Sequence, residues 1–260
     1  MRTQLPQAYF SRLLRAVIEF DMLQAGDKIL VGLSGGKDSL FLTYALAVLK
    51  DISPVKFELG AFTLDPLFTN NFDPAPLIDF CARLGIPFGT EQANIAGIID
   101  SKQGKDPCFT CAFFRRGAVN SYAQTHGYNK VALAHHHDDA VETFYMGLLY
   151  AGHLKTFSPV TYLSRTNLTV IRPLIYFREK EIRAAVGLHG LIPIASPCPL
   201  NGKTKRQEIK ERIADLEKAD PAFYSHLAAA MRCQNSTELW PAEPGRQQLK
   251  GKHDAFWRSH

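Results

Sequence analysis

Between residues 8 and 24, Phe10, Leu13, Leu14, Val17 and Ile18 recur at intervals of three and four, with Arg12 and Arg15 off that stripe. This is the period of a helix that buries one face. Gly26-Asp27 ends it, and Lys28-Ile29-Leu30-Val31-Gly32-Leu33 follows as an apolar, β-branched strand. A helical pattern starts again at residue 39 (Leu40, Phe41, Tyr44, Ala45, Val48) and runs to about 50. Phe57–Asp65 reads as a second strand, 66–76 as a Pro- and Asn-rich loop, and Leu77, Ile78, Phe80, Cys81 and Leu84 as a helix stopped by Gly85. A short third strand is predicted over Ile86–Glu91, and a polar loop over 100–108. Beyond it come a helix from about 110 to 126, a fourth strand over Lys130–His135 and a helix over Asp139–Tyr150. Residues 152–168 lack a period and read as an irregular loop. A fifth strand over Thr169–Leu174 and a helix over Arg178–His189 complete the alternation.

Strands alternating with helices predict an α/β fold: a doubly wound, parallel, five-stranded sheet covered on both faces. From Lys203 the pattern turns purely helical. Ile209, Ile213 and Leu216 form one stripe, and Lys203, Lys205, Arg206, Lys210 and Arg212 crowd the outside. The last twenty residues show no clear periodicity. The expected organisation is an N-terminal helix (1–26), a nucleotide-binding α/β domain (27–200) and a C-terminal helical extension with a tail (201–260).

Composition changes this picture only at the margins. A net charge of +5 over 260 residues is mildly basic and compatible with a nucleic-acid partner. No apolar run is long enough to span a membrane, and Met1–Pro6 lacks the apolar segment of a signal peptide, so the expectation is a cytoplasmic protein. Five cysteines in such a chain argue against disulfides and for metal or redox chemistry at any clustered pair.

The chemistry concentrates at predicted strand ends. After the first strand, Ser34-Gly35-Gly36-Lys37-Asp38-Ser39 makes a glycine turn into a helix, where backbone N–H groups and the helix dipole favour a phosphate. It is not a Walker loop, which would need Gly at Val31 and Ser or Thr at Asp38. It resembles the PP-loop, S-G-G-x-D-S, of enzymes that split ATP between the α and β phosphates. In a 3-2-1-4-5 strand order, ligands gather at the ends of strands 1 and 4. Ser34 to Ser39, Thr63, His135 and Asp138 are therefore the candidate nucleotide contacts, and Asp38 and Asp139, with Asp138 beside them, the candidate Mg²⁺ site. Asp139 followed by Glu142 is also a helix-capping pattern. His135, His136 and His137 cannot all face one way on a strand, which disfavours a histidine metal site.

Pro107-Cys108-Phe109-Thr110-Cys111 is the second signal. A C-x-x-C at a helix start converges two thiols, which alone reads as a redox pair or half a metal or cluster site. Cys198, in Ser196-Pro197-Cys198-Pro199, is a candidate third ligand; Cys81 falls on an apolar stripe and reads as core, and Cys233 carries no assignment. Arg115 and Arg116, one helical turn past Cys111, and Lys203, Lys205 and Arg206 are candidate RNA phosphate contacts.

Taken together, S-G-G-K-D-S at 34–39, P-C-x-x-C with R-R at 107–116, A-H-H-H-D-D at 134–139, I-R-P-L-I-Y-F-R-E-K-E-I at 171–182 and S-P-C-P-L-N-G-K-T-K-R at 196–206 resemble the tRNA 2-thiocytidine synthetase family of PP-loop enzymes. The resemblance covers about residues 8 to 232. It implies a Rossmann-like PP-loop fold, ATP and Mg²⁺, a [4Fe–4S] cluster on Cys108, Cys111 and Cys198, and an anticodon-loop cytidine as substrate. It further implies a sulfur donor such as a cysteine desulfurase relay, and allows a homodimer. Where many members have a second late cysteine this chain has Asn201, and where many have Gly and Arg it has Ala134 and His137. Two other readings use the same residues. A-H-H-x-D-D-x-x-E-T also suits a tRNA lysidine synthetase-like ligase, which needs no cysteine cluster. Three cysteines and a histidine would also suit a zinc-stabilised nucleotide-binding protein.

Overall fold

The computed structural model describes residues 4–69, 72–101, 107–195, 198–200, 204–232, 245–248 and 250–251. In chain order the elements are α1 (Gln7–Glu19), β1 (Lys28–Gly32), α2 (Lys37–Ile52), β2 (Glu58–Asp65), α3 (Ala75–Arg83), β3 (Phe88–Gln92), α4 (Ile95–Ser101) and α5 (Pro107–Thr125). They continue with β4 (Lys130–Ala132), α6 (His137–Ala151), β5 (Val160–Leu163), β6 (Leu168–Ile171), α7 (Glu179–Leu188), α8 (Lys205–Ala219) and α9 (Phe223–Ala230). The strands form one sheet in the order β3-β2-β1-β4-β6-β5. All neighbours run parallel except β5, which pairs antiparallel with β6.

The period-2 alternation of the strands divides the core. Ile29 and Val31 of β1, Leu59 and Ala61 of β2, Ala132 of β4 and Ile171 of β6 face the layer of α1, α2, α3 and α7. Leu30, Phe62, Leu64, Val131 and Val170 face the opposite layer, where α4 and α5 contribute Ile95 and Ala123. Both faces of the central strands are thus covered, as a parallel sheet requires. A third, smaller cluster of Val141, Ile209, Ile213 and Phe223 fastens α8 and α9 onto α6.

The doubly wound class and the predicted strand order hold, and the sheet gains a sixth strand. Val160–Leu163, expected within an irregular loop, forms the antiparallel edge strand β5. Four residues of mixed burial carry no legible period, and only pairing to β6 makes them a strand. Helix α4 lies in a stretch for which no helix was predicted, where seven residues are too few for periodicity to show. Helix α1 ends at Glu19 rather than near 24, because Asp21 adopts a positive φ of 49° and turns the chain toward β1.

Candidate active site

The glycine turn after β1 is built as its sequence suggests. Gly35 takes φ +80°, which a side chain would strain, and Gly36 N-caps α2. The Ser34 and Ser39 hydroxyls lie 3.1 Å apart, and Ser39 donates to the Gly36 carbonyl at 3.0 Å. Behind the loop, the Ile194 N–H donates to the Gly35 carbonyl at 2.9 Å. That bond ties the loop to the segment leading, four residues on, to Cys198.

Two cavities flank this loop. The first, of about 320 Å³, is lined by Lys37, Asp38, Cys108, His136, Asp139, Glu142, Glu179, Cys198 and Arg206, among others. It brings together a loop lysine, two of the predicted Mg²⁺ carboxylates and two of the three predicted cluster cysteines. Cys111 sits one turn along α5. Burial pushes its thiol up, Arg115 opposes this, and Cys198 and Cys108 lie near enough to add to the rise. Cys108 and Cys198 thus share the wall of this cavity, and Cys111 lies on α5 beyond it. Burial pushes the Cys81 thiol up to about 12 in the core, where packing alone accounts for it.

Asp38 and Asp139 meet across His136, whose Nε2 lies 3.7 Å from the first carboxylate and 3.5 Å from the second. The Asp38 Oδ1 atom is buried without a hydrogen-bond partner. Asp139 also accepts from the His136 N–H at 2.9 Å, closing the capping box of α6, so it both caps and faces the cavity. Asp138 lies 3.7 Å from the other ring nitrogen, His136 Nδ1, and its hydrogen bonds run to α7 and α9. Its carboxylate accepts from Arg178 Nε at 3.1 Å, from the Glu179 N–H at 2.8 Å and from the Tyr224 hydroxyl at 3.2 Å. The structure thus spends Asp138 on joining α6, α7 and α9, apart from the pairing of Asp38 with Asp139.

The second cavity, of about 430 Å³, spans the ends of β1, β2, β4 and β6 and takes in Ser34, Thr63, Arg115, Arg116, His135 and Arg172. Among the described residues its walls carry no carboxylate side chain. Arg115 Nε, Arg172 Nε and His135 Nδ1 are buried there without hydrogen-bond partners among the described residues. Burial, reinforced by Arg172 and Arg206 against the pull of Asp139, pushes His135 down to about 4, so the imidazole is neutral at physiological pH. A site at the strand ends that presents arginines and no acid suits a nucleotide.

Of the predicted RNA contacts, Arg115 and Arg116 line this second cavity. Lys205 lies over the Tyr150 ring, 5.4 Å from its centroid. Arg206 turns inward onto Asp139 and Glu142, each at 3.2 Å. Lys203 and Cys233 lie outside the described residues, as do most of the predicted loop over 100–108 and most of the tail. Among the described residues no three His, Cys, Asp or Glu side chains are gathered to hold a single metal ion.

Several site residues escaped the sequence. His136 stands in a run of three histidines that gives no local sign of its role, yet it lies between the carboxylates while His135 lines the second cavity. Arg172 directly follows β6, so the strand-end rule reaches it once the end of β6 is known. Glu179 pairs with Lys37 at 3.0 Å, and Arg178 clamps Asp138. Both stand in the motif at 171–182, to which no role was given.

Comparison with known proteins agrees with this geometry. The PP-loop domain family matches residues 7–216. A tRNA-cytidine(32) 2-sulfurtransferase of Marinobacter nauticus is 38% identical over 252 residues, covering 93% of this chain and 82% of the relative. One of Geobacter metallireducens is 37% identical, covering 84% of this chain and 86% of the relative. Among solved structures, the U34-tRNA thiolase NcsA from Methanococcus maripaludis with its [4Fe-4S] cluster superposes with a TM-score of 0.71 over 95% of this chain and 87% of its own, at 22% identity, and shares the fold. With that extent of match to the PP-loop domain and to these relatives, the chain belongs to the PP-loop family of tRNA-cytidine(32) 2-sulfurtransferases.

Proposed function

We propose that this protein is an ATP-dependent tRNA thiolase that replaces the C2 oxygen of an anticodon-loop cytidine with sulfur. The observation that carries the proposal is the first cavity, where Lys37, Asp38 and Asp139 stand opposite Cys108 and Cys198. The tRNA lysidine synthetase-like reading leaves that cysteine pair without a purpose. A single-zinc reading needs four ligands on one point. Among the described residues the cysteines wall a cavity without gathering on one point, which suits a cluster better than a single ion.

A pyrimidine carbonyl oxygen is a poor leaving group. Its attack on the α-phosphorus of ATP breaks the bond to the bridging oxygen and releases pyrophosphate. The Gly35 and Gly36 N–H groups and Lys37 are placed to stabilise the charge that develops on the leaving phosphates. Asp38 and Asp139 would hold Mg²⁺ against the same oxygens. Ser34, Thr63 and neutral His135 line the pocket for the nucleoside, and Arg115 and Arg172 offer positive charge to the nucleotide. Cys108, Cys111 and Cys198 would hold a [4Fe–4S] cluster, which would carry the sulfur to be transferred. Attack of sulfur on the activated C2 then expels AMP. Arg116 and Lys205 contact the tRNA backbone from outside. The protein acts in the cytoplasm and takes its sulfur from a donor such as a cysteine desulfurase relay, whose persulfide sulfur a thiol reductant brings to the sulfide level.

The decisive experiment is nucleoside mass spectrometry of tRNA from cells with and without the gene. Loss of 2-thiocytidine, restored by the wild-type gene and not by Cys198→Ala, is expected. Unchanged thionucleoside content would refute the assignment.

A further inference from the structure

Lys37 is the cation of the phosphate loop, and two carboxylates engage it. Its ammonium lies 2.9 Å from Asp38 and 3.0 Å from Glu179, the first residue of α7. Glu179 has two further cationic partners: Arg183 at 2.8 Å and Lys210 of α8. Both Lys37 and Glu179 are mostly shielded from solvent, so these charges are weakly screened. Lys37, Glu179 and Lys210 all line the cavity that holds Asp38 and the cysteines.

A carboxylate that served only to anchor Lys37 would need no other partner, and drawing the lysine away would strand a buried charge. Glu179 is built differently. When Lys37 moves onto a phosphate, Lys210 and Arg183 keep the carboxylate paired, so the move leaves no uncompensated ion. The opposite move is equally provided for, since an ammonium leaving pyrophosphate finds Glu179 waiting at the mouth of the loop. We propose that Glu179 is a positioning residue that competes with pyrophosphate for Lys37 and so promotes product release. This rests on the loop being a pyrophosphate cradle, and it goes further by naming the group that empties it.

The test is calorimetric titration of the full-length protein with inorganic pyrophosphate and Mg²⁺. Glu179→Gln removes the competing charge. It should bind pyrophosphate roughly five- to tenfold more tightly, and pyrophosphate should inhibit its thiolation at correspondingly lower concentration. Glu179→Asp should return both values toward wild type. In a Lys37→Met background the gain from Glu179→Gln should vanish, because it acts through that lysine. A gain that persists without Lys37 reports general charge only and overturns the proposal, as does unchanged or weaker pyrophosphate binding by Glu179→Gln. If Glu179→Gln does not fold, Lys210→Met supplies the same cycle with the opposite sign. Freed of one rival, Glu179 holds Lys37 harder, and pyrophosphate binds more weakly only while Lys37 is present. Wild-type protein that fails to bind pyrophosphate would instead sink the reading of the loop itself.

Discussion

Adjacent aspartates at the start of α6 have separate tasks, and their surroundings say which is which. Asp138 is buried and accepts from a guanidinium, a backbone N–H and a tyrosine hydroxyl, whereas Asp139 and Asp38 face the cavity across His136. Asp138→Asn removes the charge that Arg178 Nε meets on α6, while Glu217 still pairs its Nη2, and should cost about 1–2 kcal/mol, read as a lowered Tm. Asp139→Asn should abolish thiolation with a much smaller change in Tm. Glu142 adds a pH dependence. Burial, with Asp139 beside it and against Arg206 and Lys210, pushes its carboxyl up to about 7 from an ordinary 4.5. Between those two pH values the folded state binds more protons at Glu142 than the unfolded state does. Its contribution to stability therefore falls as pH rises from 4.5 to about 7 and is level above that. His135, whose folded value is held below its ordinary 6.5, contributes the opposite slope in both proteins, so the urea midpoint of Glu142→Gln relative to wild type should rise between pH 4.5 and about 7.

At the level of elements, the phosphate loop and the cysteine segment are mechanically joined. Gly35 has φ +80°, and a Cβ there would stand 3.3 Å from the Ile194 Cβ. Gly35→Ala meets both a strained backbone and a neighbour that must shift, and that neighbour lies on the way to Cys198. The expected result is a KM for ATP raised roughly tenfold or more, together with impaired cluster retention seen as weaker visible absorption after anaerobic reconstitution. An effect on ATP alone would show that the Ile194–Gly35 hydrogen bond does not couple the two parts. Helix α8 joins the same region from the other side. Ile209 and Ile213 fix it to α6, and Arg206 and Lys210 then reach Asp139, Glu142 and Glu179.

For the molecule as a whole, positive charge is divided between inward and outward work. Arg206, Lys210 and Arg172 face cavities, while Arg116 is exposed and Lys205 lies against Tyr150 at the surface. Affinity for tRNA should fall steeply with salt. The double substitution Arg116→Ala/Lys205→Ala should flatten the slope of log K against log salt by about 1.5, as measured by filter binding at several salt concentrations. Arg206→Ala, by contrast, should leave that slope nearly unchanged while lowering thiolation. An equal loss of slope from Arg206→Ala would show that it leaves its carboxylates for RNA.

Local patterns determined the strand-turn-helix at Ser34–Ser39, the alternation of strands and helices, and the pairing of Cys108 with Cys111. Each depends on residues close in the chain, where backbone geometry and side-chain period leave little choice. The apolar stripe of α8 was legible for the same reason, but not the carboxylates its basic face would meet. Tertiary structure alone decided β5, because an edge strand without periodicity exists only through its neighbour. It also decided that Asp138 turns to Arg178 while Asp139 turns to the cavity, since adjacent acids look alike until α7 and α9 pack beside them. Above all it brought Glu179 to Lys37 across 142 positions of chain. No local preference encodes that contact. It follows from α7 packing beside α2, and it gives the phosphate loop's lysine a second carboxylate beside its chain neighbour Asp38.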